Sequence, residues 1–350
     1  MARNRNNQQR DINMPENSLA RIAKTLREAG SVAIFTHARP DPDAIGSQVA
    51  VALMLQARGI KVSVAELPPI PNPLRFLLDM VRESVIAFSP ETAGAFSSDL
   101  ILVVDTSARQ QLEPAAALLE ARSAEVLILD HHISGDLSHA MMHRDTTAAA
   151  CVEIVGELGE AMGIALTKPM ATALLTGLVG DTGWFRFDSV TPRTHEIAAK
   201  LLAAGASPSE LWGRLMQSER KSKLTILSRA VERISFFAQD QIAVMEISRL
   251  DIEQAHAETW ETEGLIDVPM MVGSVVVSIF FSETPEGNIR VSLRSKHTVD
   301  VNAVCREFGG GGHCRAAGCR LPGPMASARE AIVMAVQRHL SRIAETSNTE

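Results

Sequence analysis

The stretch Ser31-Val-Ala-Ile-Phe-Thr-His37-Ala-Arg-Pro-Asp41-Pro-Asp43-Ala-Ile-Gly46-Ser47 passes from an apolar run, through a turn carrying one imidazole and two acids, into a helical pattern. Residues 31–36 are apolar on both faces, which marks a strand buried inside a parallel sheet rather than one side of a hairpin. Pro40 and Pro42 set the turn, and residues 44–58 read as a helix that Gly59 stops. Upstream, Leu19, Ile22, Ala23 and Leu26 have helical spacing and close at Gly30. Downstream come a second strand over 61–67, a loop broken by Pro68, Pro69, Pro71 and Pro73, and further apolar strands over 100–104 and 126–129. Strands of this kind separated by helices predict an α/β domain, a mostly parallel sheet with helices on both faces, over residues 17–189.

After residue 189 the style changes. Pro192 and Gly205 bracket one helix, Ser207 to Glu210 fit a capping box, and residues 190–222 read as a helical connector. Strands expected over 234–238, 242–247, 275–282 and 289–295 predict a smaller α+β domain at 223–345, with a tail at 346–350. Residues 1–16 are polar and aperiodic and read as a mobile arm, although Arg3, Arg5 and Arg10 are chemically able to meet phosphate.

The chain has 350 residues, of which 46% are apolar, enough for two cores. A formal net charge of −7 without a basic stripe disfavours long nucleic acid, so a polyanionic substrate has to be short and held locally. Cys151, Cys305, Cys314 and Cys319 follow no disulfide rhythm, and the first residues carry no apolar signal segment, so a reducing cytoplasm is expected. The apolar runs at 170–179 and 275–281 are well short of the roughly 20 residues that span a membrane.

In open α/β sheets ligands bind beyond the carboxyl ends of the strands, which singles out His37, Asp105 in Val103-Val104-Asp105-Thr106-Ser107, and Asp130 in Asp130-His131-His132. Carboxylate and imidazole donors converging there suit a divalent metal, and Asp130 is placed to orient a neighbouring ring. The competing account is ordinary capping: acids at a helix start satisfy its free amides, and an acid after a strand often makes a turn. A fourth acid, in Gly180-Asp181-Thr182-Gly183, is flanked by glycines that allow close backbone approach. Trp184, Phe185 and Phe187 follow it and can stack on a base, but packing is the commoner fate of such a cluster.

In this order, His-x-x-x-Asp-x-Asp, Val-Asp-Thr, Asp-His-His and Gly-Asp-Thr-Gly resemble the motifs of the DHH phosphoesterase superfamily. A fifth element, Gly309-Gly310-Gly311-Gly312-His313-Cys314-Arg315-Ala316-Ala317-Gly318, resembles the glycine-rich loop of the DHH-associated C-terminal domain. The two-domain plan, together with Arg290-Val-Ser-Leu-Arg294-Ser295, looks most like the bacterial oligoribonuclease and pAp phosphatase branch, often called nanoRNase.

The resemblance implies two divalent ions, with manganese the metal it favours. One would sit on His37, Asp41 and Asp105, the other on Asp43, Asp105, His131 and Asp181, with Asp105 bridging. It implies catalytic roles for His132, as phosphate contact or proton donor, for Asp105, and for Asp130. It further implies that Gly310, Gly311, Gly312, His313, Arg315, Arg294 and Ser295 hold the substrate. The ligand types alone also admit magnesium, iron or zinc. A separate zinc site at His313, Cys314 and Cys319 lacks a second ligand pair. Pro42 departs from the family, which more often has a small residue between the two acids, and a fixed φ there is able to shift their relative aim.

The function expected is hydrolysis of very short single-stranded RNA to nucleoside monophosphates, with pAp as a second substrate. The same chemistry admits a phosphodiesterase of cyclic or linear signalling dinucleotides, or a single-strand exonuclease. A different class, a regulatory module that binds nucleotides without cutting them, would be marked by a missing ligand, and none is missing. A homodimer through the first domain is compatible with the sequence.

Overall fold

The computed structural model describes residues 18–122, 126–137, 141–284, 286–296 and 299–347. The arm expected at 1–16, the last three residues of the tail and the side chain of His313 lie outside the described residues. The chain divides into two compact units, Met1–Ser218 and Glu219–Glu350.

In the first unit the strands are β1 (Ser31–Phe35), β2 (Lys61–Glu66), β3 (Val85–Ala87), β4 (Leu100–Val104), β5 (Val126–Asp130) and β6 (Met141–Arg144). The helices are α1 (Ser18–Glu28), α2 (Pro42–Ala57), α3 (Arg75–Asp79), α4 (Ala116–Ala121), α5 (Cys151–Ala161), α6 (Lys168–Asp181), α7 (Pro192–Ala203) and α8 (Pro208–Met216). All strand pairs are parallel, in the order β3-β2-β1-β4-β5-β6. Alternation along the central strands builds a core on each face, as the period of two requires. Val32, Ile34, Leu102, Val104, Leu127 and Leu129 point to one side, with α1, α2, α5 and α6. Ala33, Phe35, Ile101, Val103, Val126 and Ile128 point to the other, where Phe35, Phe88 and Phe96 pack ring against ring.

β3 and β6 extend the sheet at its two edges beyond the strands expected. They are only three and four residues long and partly exposed, and Met-Met-His-Arg has no β-branched residue to announce a strand. The helices expected as a separate connector behave differently from that expectation. Ala198, Leu201 and Leu211 of α7 and α8 are buried in the first unit's own core, so these helices complete it.

The second unit contains α9 (Lys221–Glu232), β7 (Ser235–Phe237), β8 (Ile242–Ile247), α10 (Arg249–Gln254), β9 (Val277–Glu283), β10 (Asn288–Ser295), α11 (Val301–Arg306), β11 (Gly311–His313), β12 (Ala316–Pro322) and α12 (Met325–Ser347). Its mixed sheet runs β11-β12-β10-β9-β8-β7, with only β8 and β9 parallel. Ile289, Val291 and Leu293 of β10 point into a core with α11 and α12. The glycine-rich segment, expected as a loop, contributes β11 to the sheet edge.

Candidate metal centre

The order of the first sheet reverses between β1 and β4, and at such a switch point the loops leaving two adjacent strands part and open a crevice. His37 lies two residues past β1, Asp105 directly past β4, and Asp130 ends β5. Asp105 takes a left-handed backbone, φ +63°, while its amide donates to the Leu129 carbonyl at 2.9 Å. Such a conformation is uncommon for a non-glycine residue and turns its side chain out of the strand direction. Its two oxygens face different rings: Oδ2 lies 3.5 Å from His37 Nε2 and Oδ1 lies 3.4 Å from His131 Nε2.

The other acids close around the same two imidazoles. Asp41 Oδ1 caps α2, accepting from the amides of Asp43 at 2.9 Å and Ala44 at 3.0 Å, and Oδ2 faces His37 Nε2 at 3.9 Å. Capping takes one oxygen of this carboxylate and leaves the other turned to the imidazole. Asp43 accepts from the first amides of α5, Cys151 at 2.6 Å and Val152 at 3.0 Å, and Oδ2 is 3.8 Å from His131 Nε2. Asp181 Oδ2 is 3.3 Å from the same nitrogen. Pro42 occupies the first turn of α2, where no amide is needed, and both neighbouring acids reach their imidazoles.

Asp181 comes from the last residue of α6, which reaches the crevice only because α2 and α6 cross at glycines. A Cβ on Gly46 would lie 2.6 Å from the Ala173 carbonyl oxygen, one on Gly180 2.6 Å from Pro42 Cβ, and one on Gly177 2.5 Å from Val152 and 2.8 Å from Asp43 Oδ1. No side chain fits at these contacts.

Three donor groups each gather within 4.8 Å: His37, Asp41 and Asp105; Asp43, His131 and Asp181; and Asp105, His131 and His132. Asp105 Oδ1 and His131 Nε2 are buried without a hydrogen-bond partner. Two orphaned atoms facing one another across four carboxylates fit a cation. The rings are turned accordingly, since His37 Nδ1 lies 3.1 Å from the Ala38 carbonyl oxygen and His131 Nδ1 lies 3.3 Å from that of Ala148. Donation from Nδ1–H to these oxygens leaves the Nε2 lone pair facing the carboxylates.

The electrostatics agree. Burial works against charge on His131, but the carboxylates of Asp105 and Asp181 beside it prevail and push it up to about 12. Against the same opposition, Asp105 and Asp41 push His37 up to about 9. Burial also penalises Asp105, yet the two imidazoles hold it at about 2. Burial, then Asp105 and Asp181, push Asp43 well above the ordinary carboxylate range. Without a metal, protons on the imidazoles are what offset the crowded acids.

Asp130 is fully buried and set apart from the other acids. Its Oδ1 accepts from the His132 amide at 3.1 Å and faces that ring's Nδ1 at 2.9 Å, while Oδ2 accepts from the Ser107 hydroxyl. It therefore orients His132, not His131.

In the second unit, Arg294 of β10 pairs in register with Ala316 of β12, which pairs with His313 of β11. Arg290 and Arg320 pair in the same way and are exposed, so β10 and β12 carry a basic face to which sequence reasoning had not assigned Arg320. The Ser295 hydroxyl donates to the Val299 carbonyl at 2.6 Å and Arg315 to the same oxygen at 2.9 Å, so both brace that segment. Gly310 and Gly312 are glycines for a packing reason: a Cβ would stand 2.3 Å from the Gly318 carbonyl oxygen or 2.5 Å from that of Ala316. Gly311 has only Asn302 near it, at 4.0 Å.

A parallel sheet whose switch point gathers imidazoles and carboxylates around one shared acid is the framework of a metal-dependent phosphoesterase. The description "DHH family, N-terminal domain" matches residues 31–178, and "DHHA1 domain" matches residues 253–342. The chain thus carries a DHH domain followed by a DHHA1 domain. It is 29% identical over 338 residues to the bifunctional oligoribonuclease and PAP phosphatase NrnA of Thermus thermophilus, covering 95% of this chain and 98% of that protein. It is 26% identical over 303 residues to the protein of the same description from Bacillus subtilis, covering 86% and 92%. An exopolyphosphatase-related protein from Bacteroides fragilis shares the fold with a TM-score of 0.86 at 22% identity, covering 92% and 96%. Among the described residues no helix is long and apolar enough to cross a membrane.

Proposed function

We propose that the protein hydrolyses phosphodiester bonds in very short single-stranded RNA, releasing nucleoside monophosphates, and removes the 3′-phosphate of pAp. The observation that carries this reading is the shared carboxylate: Asp105 turns one oxygen to each of two imidazole-carboxylate sets. Relatives described as oligoribonucleases and PAP phosphatases along nearly their whole length supply the substrate class.

His37, Asp41 and Asp105 would hold one divalent ion and Asp43, Asp105, His131 and Asp181 a second, manganese by preference; such ions offset charge on the phosphoryl oxygens and activate a water. The chain's own residues do the rest. Asp43, tied to the amides of α5, keeps its set rigid. His132 meets the phosphoryl group or its leaving oxygen. Arg294 and the strand at Gly310, Gly311 and Gly312, with His313, bind a terminal phosphate, which favours short substrates on a chain of net charge −7.

The test is a substrate panel with purified protein reconstituted with manganese: diadenylate, pAp, a cyclic dinucleotide and a longer single strand. AMP release from diadenylate should lead the panel and fall by about three orders of magnitude or more in Asp105→Ala. Unchanged turnover in that variant defeats the site, and a faster cyclic dinucleotide defeats the substrate assignment.

A further inference from the structure

Behind His132 runs a chain of polar side chains that the metal sets do not use. Arg144 pairs in register with Asp130 across β5 and β6, so the guanidinium stands beside the carboxylate, with Nε 3.9 Å from Oδ2. Ser107 bridges the two: Arg144 Nη2 donates to its Oγ at 2.5 Å, and Oγ donates to Asp130 Oδ2 at 2.5 Å. Asp130 Oδ1 then faces His132 Nδ1 at 2.9 Å. The loop that follows closes over this chain at Gly135, where a Cβ would fall 1.9 Å from Ser107 Oγ and 2.7 Å from Arg144 Nη2. Any other residue there would displace the serine. Ser107 and Asp130 are buried, whereas the His132 side chain is 29% exposed, so the chain runs from the interior to an accessible ring.

A carboxylate that accepts from Nδ1–H fixes the plane of an imidazole and favours its imidazolium form, whose second and transferable proton is on Nε2. Such an acid acts through the ring only while its own orientation is fixed, and a buried carboxylate with two oxygens can otherwise swing. Here the serine proton occupies Oδ2 and the arginine holds the serine, which commits Oδ1 to the ring.

Building on the phosphodiesterase reading, we propose that Ser107 and Arg144 are positioning residues for His132, locking Asp130 so that His132 Nε2 gives its proton to the leaving oxygen of the scissile ester. In that step a water oxygen forms the new P–O bond and releases a proton to solvent. The P–O bond to the leaving ribose breaks, its electron pair stays on oxygen, and the Nε2 proton neutralises it. Solvent returns a proton to the ring afterwards.

The inference is tested on full-length, manganese-loaded protein with two substrates. Diadenylate has a ribose hydroxyl as leaving group, which needs a proton; a nucleoside p-nitrophenyl phosphodiester releases nitrophenolate, which does not. In Arg144→Met and Ser107→Ala, kcat on diadenylate should fall on the order of 10²-fold, the scale of general acid catalysis, with KM within about twofold. On the nitrophenyl ester kcat should stay within about threefold. His132→Asn should lower kcat on diadenylate at least as far, adding Arg144→Met to it should cause no further loss, and Arg144→Lys should recover part of the rate. Equal losses on both substrates, additive losses in the double variant, or a Ser107→Ala protein that does not fold would each overturn the inference. A parent enzyme that turns over neither substrate with any divalent metal instead defeats the phosphodiesterase reading, before any variant is made.

Discussion

The two sheets hold their functional side chains in opposite ways. At the carboxyl edge of the first, four of the donor side chains have partners that fix them: Asp41 takes the amides of α2, Asp43 those of α5, and His37 and His131 lie against main-chain carbonyls. On the second, Arg294 is 42% exposed and its nearest acid, Asp267, lies 3.7 Å away and is itself exposed. Rigid donors suit an ion or a transition state, whose geometry is set, while a loosely held arginine suits the end of a substrate whose length and base vary. Changes in the first sheet should therefore act on chemistry and stability together, and changes in the second on binding alone.

The largest expected effect comes from breaking the helix crossing. Gly177→Ala puts a methyl against Val152 and Asp43, so it should destabilise the first unit by about 1–3 kcal/mol and lower kcat by about 100-fold through displacement of Asp43. Denaturation midpoints and manganese titration check both parts, and full activity with a lowered melting temperature would detach the crossing from the site. Next is Arg294→Ala, which should raise KM for diadenylate by about tenfold to a hundredfold, the loss of one charged hydrogen-bonded contact. Its kcat and melting temperature should not move, and a kcat effect larger than the KM effect would erase the contrast between the sheets. The smallest effects separate two reasons for glycine in β11. Gly310→Ala, which strikes β12, should lower the melting temperature, whereas Gly311→Ala, with open space around it, should leave melting intact and raise KM severalfold if amides there meet an anion. Identical melting curves for the two would remove the packing account.

What the sequence made legible follows from the same contrast. β1, β4 and β5 were readable because they are apolar on both faces, and once they are strands, His37, Asp105 and Asp130 stand at their ends. Asp181 was readable as an acid between glycines, but not the reason for glycine there, since Gly180 is set by Pro42 and nearby Gly177 by Val152 and Asp43, with Pro42 and Asp43 on a distant helix start. The share of Asp130 between His132 and Ser107 was hidden as well, because it depends on the register of β6, a strand without strand-like composition. The glycine-rich segment read as a loop because glycine is depleted in strands. A close antiparallel neighbour reverses that preference at Gly310 and Gly312.

The crowd of acids around His131 also bears on how long the protein survives. Burial, Asp105 and Asp181 push Asp43 far above its ordinary range, and a group with a raised folded value weakens the folded state once pH exceeds its unfolded value near 4. At neutral pH Asp43 thus weighs against the metal-free fold, while the raised imidazoles and the lowered Asp105 weigh for it, and a cation held there at a hundredfold excess over its dissociation constant would add about 2.7 kcal/mol. Limited proteolysis should slow markedly when manganese is added, and Asp43→Asn should flatten that response. Metal supply would then govern the protein's lifetime and abundance in a cell as well as its turnover number.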